Sequence, residues 1–244
     1  MEKVSLVLTT YNCKENLRKT LESIEKQDYS NIEVVIKDGK SQDGTIDIIR
    51  EYEKKSQYQI IWESKEDKGI YDAMNQGYGL STGSIVAFFN DVFIDNSAIN
   101  KMVAVIEKNE CVGAHADLVY TDKGKIIRKW RMGEGNIRQG WMPGHPTLFL
   151  KREIYEKYGL YNIDFKIAAD YEFMIRFLKD KENQLAYLPE TIISMFYGGA
   201  SSGGLKNYLV SLKEGHKALK INGIKCASVI DVKRTIKVLL QFIK

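Results

Sequence analysis

Residues 4–45 run VSLVLTTYNCKENLRKTLESIEKQDYSNIEVVIKDGKSQDGT, and their periodicity decides the fold class. Val4-Ser5-Leu6-Val7-Leu8 is short and apolar, as a buried strand is. Leu17, Leu21 and Ile24 then recur at helical spacing through Gln27. Ile32-Glu33-Val34-Val35-Ile36 is a second strand, and Asp43-Gly44-Thr45 opens a helix carrying Ile46, Ile49 and Tyr52. The alternation continues with a strand at Gln59–Glu63, a helix through Tyr71, Met74 and Tyr78, and a strand at Ile85–Phe89. Strand–helix alternation of this kind implies right-handed crossovers and an α/β fold with a mainly parallel sheet flanked by helices.

After residue 110 the pattern changes. Leu118–Thr121 and Lys125–Trp130 are strand-like and flank Asp122-Lys123-Gly124, a hairpin signal. Thr147–Leu150 reads as a strand. Arg152–Tyr158, ended by Gly159, and Asp170–Leu178 read as helices. Two further helices are expected at 204–221 and 229–243.

Composition narrows the function classes. The 244 residues are 44% hydrophobic and 28% charged, with 3 prolines, which fits a soluble globular chain without linkers. No run of 18 apolar residues is present, so no membrane span is expected. The N-terminus lacks the basic, apolar and small-residue sections of a signal peptide. Cys13, Cys111 and Cys226 are odd in number and far apart, which fits a reducing cytoplasm rather than a disulfide framework. The net charge is +4, and residues 222–244 carry all of it: five basic residues stand there against Asp231. The first 221 residues are balanced, so a basic nucleic-acid binder is disfavoured. Two local matches lose their context. Gly39-Lys40-Ser41 resembles the end of a phosphate-binding loop, but position 34 is Val where that loop needs Gly. Gly79-Leu80-Ser81-Thr82-Gly83 follows a helix and precedes a strand, the reverse of a nucleophile elbow.

The informative residues stand at strand ends. The first strand ends in Thr9-Thr10-Tyr11-Asn12 and the second in Lys37-Asp38-Gly39. The third leads to Glu66-Asp67-Lys68-Gly69 and the fourth ends in Asn90-Asp91. Ligands bind beyond the carboxyl ends of parallel strands, so four polar tips on one edge predict a binding crevice. An aspartate there can accept from a base or ribose, and a tyrosine ring can stack on a base.

In order along the chain, Thr9-Thr10-Tyr11-Asn12, the run Asp38 to Thr45, Lys68-Gly-Ile-Tyr-Asp-Ala-Met-Asn-Gln-Gly77, Asn90-Asp91, Gly144-His145-Pro146 and Ala168-Ala169-Asp170-Tyr171 resemble the family 2 glycosyltransferases. The resemblance covers about residues 4–180. It implies a GT-A nucleotide-sugar fold with a Rossmann-like sheet, and inverting transfer of a hexose or N-acetylhexosamine from a UDP-sugar. The implied acceptor is a glycan or lipid-linked oligosaccharide in surface polysaccharide synthesis, and the implied cofactor is a divalent cation, Mn²⁺ or Mg²⁺. It assigns Thr9, Tyr11 and Asp38 to base and ribose contacts, with Asn12, Lys68, Gly69, Asn75 and Asn90 completing the nucleotide-sugar site. Asp91 would meet the metal-bound diphosphate, with His145 as a second candidate ligand, and Asp170 would be the general base. One departure stands out. Members usually end the fourth strand in two acidic residues, whereas Phe89-Asn90-Asp91-Val92 carries one. That departure motivates an alternative, a non-catalytic nucleotide-sugar binding module.

Plainer readings exist for each residue. Asp38 suits a turn, Asp91 a helix start and Asp170 an N-cap, the last compatible with catalysis because a capping carboxylate is fixed in orientation. His145 reads equally as a structural histidine or a metal or diphosphate ligand. Residues 223–244 are expected to form a basic amphipathic helix appended to a domain over 1–222. Val229, Val232, Ile236, Leu239, Leu240, Phe242 and Ile243 share one arc, opposite Lys233, Arg234, Lys237 and Lys244. Such a helix either docks on the domain or a partner, or lies on an anionic bilayer, here the inner membrane surface. The expected location is cytoplasmic, peripheral to that membrane.

Overall fold

A computed structural model of the chain describes residues 1–122, 124–180, 183–196 and 204–240. Strand β1 (Val4–Thr10) lies between β2 (Ile32–Asp38) and β4 (Ile85–Phe88), and β2 pairs with β3 (Gln59–Ser64), all in parallel. Every residue of β2 is buried, as expected of a parallel strand covered on both faces. The crossovers are α1 (Lys14–Ile24), α2 (Thr45–Lys55) and α3 (Ile70–Leu80). One layer packs Leu17 and Leu21 of α1 and Ile48 and Ile49 of α2 against Leu6 and Leu8. The opposite layer packs Tyr71 and Met74 of α3 against Val7 and Val35. Alternation along β1 sends successive side chains into the two cores.

The second half widens the sheet. β5 (Val92–Phe93), α4 (Ala98–Asn109), β6 (Gly113–Asp122) and β7 (Lys125–Trp130) are followed by 3₁₀ turns at 137–139 and 145–147, then β8 (Phe149–Lys151) and α5 (Arg152–Tyr158). α6 (Ala169–Leu178), β9 (Leu185–Phe196), α7 (Gly204–Ile221) and α8 (Ala227–Leu240) complete the chain. The sheet order is β3-β2-β1-β4-β8-β6-β9-β5, with β7 paired to β6. The expected strand at Thr147–Leu150 starts only at Phe149, because His145–Thr147 closes a 3₁₀ turn around Pro146. β9 and α4 are elements that the sequence reading did not identify. β9 runs through Pro189-Glu190-Thr191, and its register against β6 shifts beside Asp117, so neither strand shows clean alternation.

The C-terminal helix is docked on the domain. Ile224, Ala227 and Ile230 are buried in the same core as Phe173 and Phe177 of α6 and Ala218 and Leu219 of α7. The expected boundary at residue 222 thus falls in the turn between two helices that share a core. Arg234, expected on the polar arc, turns inward: its guanidinium lies 4.4 Å from the Tyr171 ring centroid. A Cβ on Gly215 of α7 would sit 2.4 Å from that guanidinium, so glycine is what lets Arg234 in. Val229, Val232 and Ile236 of the expected apolar arc face outward, 53%, 59% and 50% exposed. The side chains of Leu239 and Leu240, and residues Phe242, Ile243 and Lys244, lie outside the described residues. Among the described residues no helix is long and apolar enough to cross a membrane.

Candidate active site

The carboxyl ends of β1, β2 and β4 open into a cleft of about 1010 Å³, and the loop before α6 closes its far side. Thr9, Tyr11, Gly69, Asn90, Asp91, His145 and Asp170 all line this cleft, so the fold gathers residues up to 161 positions apart onto one edge. Tyr11 is 67% exposed at the rim and offers a ring face to a planar ligand. Gly69 caps α3 at φ +117°, a conformation that disfavours any Cβ, and nothing lies within 4 Å of the space a Cβ would take. Gly39 also lines the cleft, and a Cβ there would come within 2.7 Å of the Asp67 carboxylate.

Four expected nucleotide contacts are placed differently. Asp38 is fully buried below the cleft floor and is not among the lining residues. Its Oδ1 accepts from Thr10 Oγ1 at 2.9 Å and Ser41 Oγ at 2.6 Å, and its Oδ2 from Ser41 N at 3.0 Å and Ser64 Oγ at 2.7 Å. A carboxylate has about four acceptor positions, so these donors fill them. Burial pushes this carboxyl up, and the donors outweigh it and hold it below its ordinary value. A ligand donor reaching Asp38 has to displace one of these hydroxyls. Asn12 adopts φ 47° and knits the two loops together, its Oδ1 accepting from Gln42 N at 2.8 Å. Asn75 is bound on both sides to the Tyr161 main chain, at 2.9 and 3.0 Å. Lys68 is exposed outside the lining, and its backbone N–H donates to Asp72.

Asn90 stands at the tip of β4, and its amide staples two strand tips together. Its Oδ1 accepts from Thr9 N at 2.9 Å and its Nδ2 donates to Thr9 Oγ1 at 2.8 Å. The neighbouring Asp91 is 8% exposed, and among the described residues its one hydrogen-bond partner is Phe196 N at 3.2 Å. Burial pushes its carboxyl up to about 7, and that one hydrogen bond only partly offsets the shift. A buried carboxylate left this short of donors, facing a cleft, has the character of a ligand for a hard cation. The described lining carries Glu66, Asp67, Asp91 and Asp170 against Lys166 alone, so the cleft is acidic where an anionic ligand would enter. No group of three or more His, Cys, Asp and Glu able to hold a metal exists among the described residues. Asp91 fits the other arrangement, in which one or two carboxylates share the ion with the ligand's own oxygens.

His145 Nε2 lies 2.8 Å from Tyr161 Oη, and the ring stacks on Phe88 at 6.0 Å. Burial lowers its pKa, which favours the neutral imidazole. With Nε2 engaged, only Nδ1 remains for a ligand.

Asp170 occupies the first turn of α6, so its backbone is fixed. Its Oδ1 lies 3.0 Å from Tyr71 Oη, and among the described residues nothing bonds its other oxygen. That oxygen is available to accept a proton from a bound hydroxyl. Tyr71 belongs to the segment singled out in the sequence, but its contact with Asp170 spans 99 residues and had no local signal.

Comparisons with known proteins bear on the fold and the family. A PGL/p-HBAD biosynthesis glycosyltransferase of Mycobacterium bovis is 29% identical over 250 residues, covering 96% of this chain and 91% of its own. The Escherichia coli UDP-Glc:alpha-D-GlcNAc-diphosphoundecaprenol beta-1,3-glucosyltransferase WfaP is 27% identical over 229 residues, covering 92% and 88%. Among solved structures, S. aureus TarS in complex with UDP-GlcNAc superposes with a TM-score of 0.73 at 18% identity, over 99% of this chain and 71% of that one. The mannosyltransferase PcManGT from Pyrobaculum calidifontis, with GDP-Man and Mn²⁺, gives 0.72 at 17%, over 98% and 74%. These likenesses establish the GT-A fold. The sequence profile described as "Glycosyl transferase family 2" matches residues 5–182, nearly three quarters of the molecule, and the chain belongs to that family of glycosyltransferases.

Proposed function

We propose that this glycosyltransferase moves a hexose or N-acetylhexosamine from a UDP-sugar to a glycan acceptor carried on a lipid diphosphate, with inversion at the anomeric carbon. The observation that carries the reading is the pairing of two unlike carboxylates in one cleft: the desolvated Asp91 at the β4 tip and the open-sided Asp170 at the start of α6. The UDP-GlcNAc complex of TarS supports the donor class, and the lipid diphosphate in the name of WfaP supports the acceptor class.

In this reading Tyr11 stacks on the base, and the Thr9–Asn90 staple and Gly39 shape the floor beneath the nucleotide. Asp91, together with the donor's own diphosphate oxygens, would hold a divalent cation, and His145 Nδ1 is the remaining nearby candidate. Such a cation supplies neutralisation of the charge that develops on the departing diphosphate. Asp170 accepts the proton of the acceptor hydroxyl as that oxygen bonds to the anomeric carbon. The bond from that carbon to the β-phosphate oxygen breaks in the same displacement, and UDP departs. A single displacement with one base inverts the configuration.

The exposed row Val229, Val232 and Ile236, beside exposed Lys233 and Lys237, suits peripheral contact with an anionic membrane on its cytoplasmic face. This would bring the cleft to a lipid-borne acceptor.

The lone acid at the β4 tip favours one second reading, a nucleotide-sugar binding module without turnover. UDP release and thermal shift over UDP-Glc, UDP-GlcNAc, UDP-Gal and UDP-GalNAc with Mn²⁺ separate the two. Release with one of these donors supports the enzyme. A thermal shift with no release from any of them supports the module.

A further inference from the structure

The segment Lys166–Ala168, which delivers Asp170 to the cleft, is held by a side chain far away in the sequence. Glu214, on α7, accepts three consecutive backbone N–H groups: Lys166 N at 2.9 Å, Ile167 N at 2.9 Å and Ala168 N at 3.0 Å. α6 has no side-chain cap at its start, since its N-cap position is Ala168. The Glu214 carboxylate therefore sits at the positive end of that helix and satisfies donors that the local sequence leaves open. Residue 214 lies beyond the span 5–182 matched by the family profile, so the clamp is supplied from outside the matched region.

The loop held this way also presents the Ile167 carbonyl to Tyr71. Tyr71 Oη is 2.6 Å from Ile167 O and 3.0 Å from Asp170 Oδ1. A phenol has one proton and cannot donate to both acceptors at once. While Asp170 is ionised, donation to its carboxylate is favoured by charge. Once Asp170 carries a proton, it can donate to Tyr71 Oη while Tyr71 donates to Ile167 O. The same three atoms thus accommodate both protonation states without moving the loop. The ring of Tyr71 is fixed by burial and by packing 5.6 Å from the Tyr161 ring, so the hydroxyl cannot swing away.

We infer that Glu214 and Tyr71 are positioning residues for Asp170: Glu214 fixes the backbone that carries the base, and Tyr71 keeps its Oδ1 hydrogen-bonded before and after proton uptake. The inference rests on the reading of Asp170 as the base. It gives α7 a positioning duty in addition to its packing.

The test uses the full chain. Amide hydrogen exchange of the peptide spanning 165–169 reads the clamp directly, without any substrate. Initial rates of UDP release read its consequence, measured with Mn²⁺, the UDP-sugar of the four-donor panel that turns over and a GlcNAc-diphospho-lipid. In Glu214→Ala, exchange at Lys166–Ala168 is expected to accelerate at least tenfold. kcat is expected to fall at least tenfold, with donor KM within twofold of the parent. Glu214→Gln keeps an acceptor oxygen and should fall between the two, which keeps the question open to test if the alanine variant does not fold. Tyr71→Phe should lower kcat while exchange at 166–168 rises less than in Glu214→Ala, because the three Glu214 bonds to those amides remain. Unchanged exchange in the Glu214 variants, or parental kcat in them while Asp170→Asn is inactive, overturns the inference. An active Asp170→Asn instead overturns the base assignment itself, and is recognised in that variant alone.

Discussion

Replacing Asp91 with Asn in metal-free protein should stabilise the fold, and do so more at high pH than at low. The native carboxyl, pushed up to about 7 by burial from an ordinary value of 3.8, holds its proton more tightly than the unfolded chain does. Stability therefore falls as pH rises from about 4, where the unfolded carboxyl ionises, to about 7, where the native one follows, and is level above that. Each pKa unit is worth about 1.36 kcal/mol, so the full penalty is about 4 kcal/mol, of which about 2–3 kcal/mol develops between pH 5 and pH 8. For a domain of this size about 1 kcal/mol shifts Tm by 2–4 °C, so the Tm advantage of Asp91→Asn should widen by roughly 5–10 °C over that interval. The assay is thermal unfolding of both proteins in chelator at pH 5 and pH 8. A second arm adds Mn²⁺ and UDP at pH 8. The parent should recover stability through binding to the native state, and the variant much less. Parallel Tm–pH curves would show that the carboxylate is solvated or paired, and would remove the physical ground for a cation at this position.

The remaining expectations are quicker to state. Asp170→Asn should cut UDP release by about 10²–10⁴-fold while leaving the UDP-induced thermal shift within error, since an amide cannot take the acceptor's proton; near-parental turnover would exclude the base role. At the opposite end of the sheet, burial pushes the Glu33 carboxyl up, and hydrogen bonds from Lys3, Ser5 and Thr82 outweigh it and bring it to about 2. Its stabilisation is present above about pH 4.5 and lost as pH falls towards 2, so Glu33→Gln should cost about 1–3 kcal/mol at pH 7 and progressively less on acidification, read by denaturant melts. Val232→Asp with Ile236→Asp should abolish co-sedimentation with anionic vesicles at low salt and leave Tm unchanged, because both side chains face solvent; equal pelleting by the parent and the double variant would leave α8 a purely structural helix.

Much of the cleft was legible because its parts are strand tips. A βαβ pattern fixes which end of each strand faces the ligand, so Thr9, Tyr11, Asn90 and Asp91 could be assigned to one edge from periodicity alone. The same logic says nothing of residues whose side chains are engaged by the protein itself. Asp38 stands at a strand end like the others, yet four hydroxyl and amide donors surround its carboxylate. Asn75 lies in a matched motif, yet it spends its amide on the Tyr161 main chain. Polarity and position do not reveal whether a group's partner is a ligand or another part of the chain.

The C-terminal helices mark the same division. An amphipathic pattern over 229–243 was visible, but not which arc would be buried. Ile230 and Ala227 took the core and left Val229, Val232 and Ile236 outside, while Arg234 lies over Tyr171 beside Gly215. The sequence by itself determined the alternating α/β order, the edge that carries the cleft and the family, since these follow from local periodicity and from short motifs in fixed order. Only the tertiary structure decided the desolvation of Asp91, the saturation of Asp38 and the grip of Glu214 on residues 46–48 positions earlier. Burial and long-range hydrogen bonds depend on which segments meet in space, and no window of sequence contains both partners.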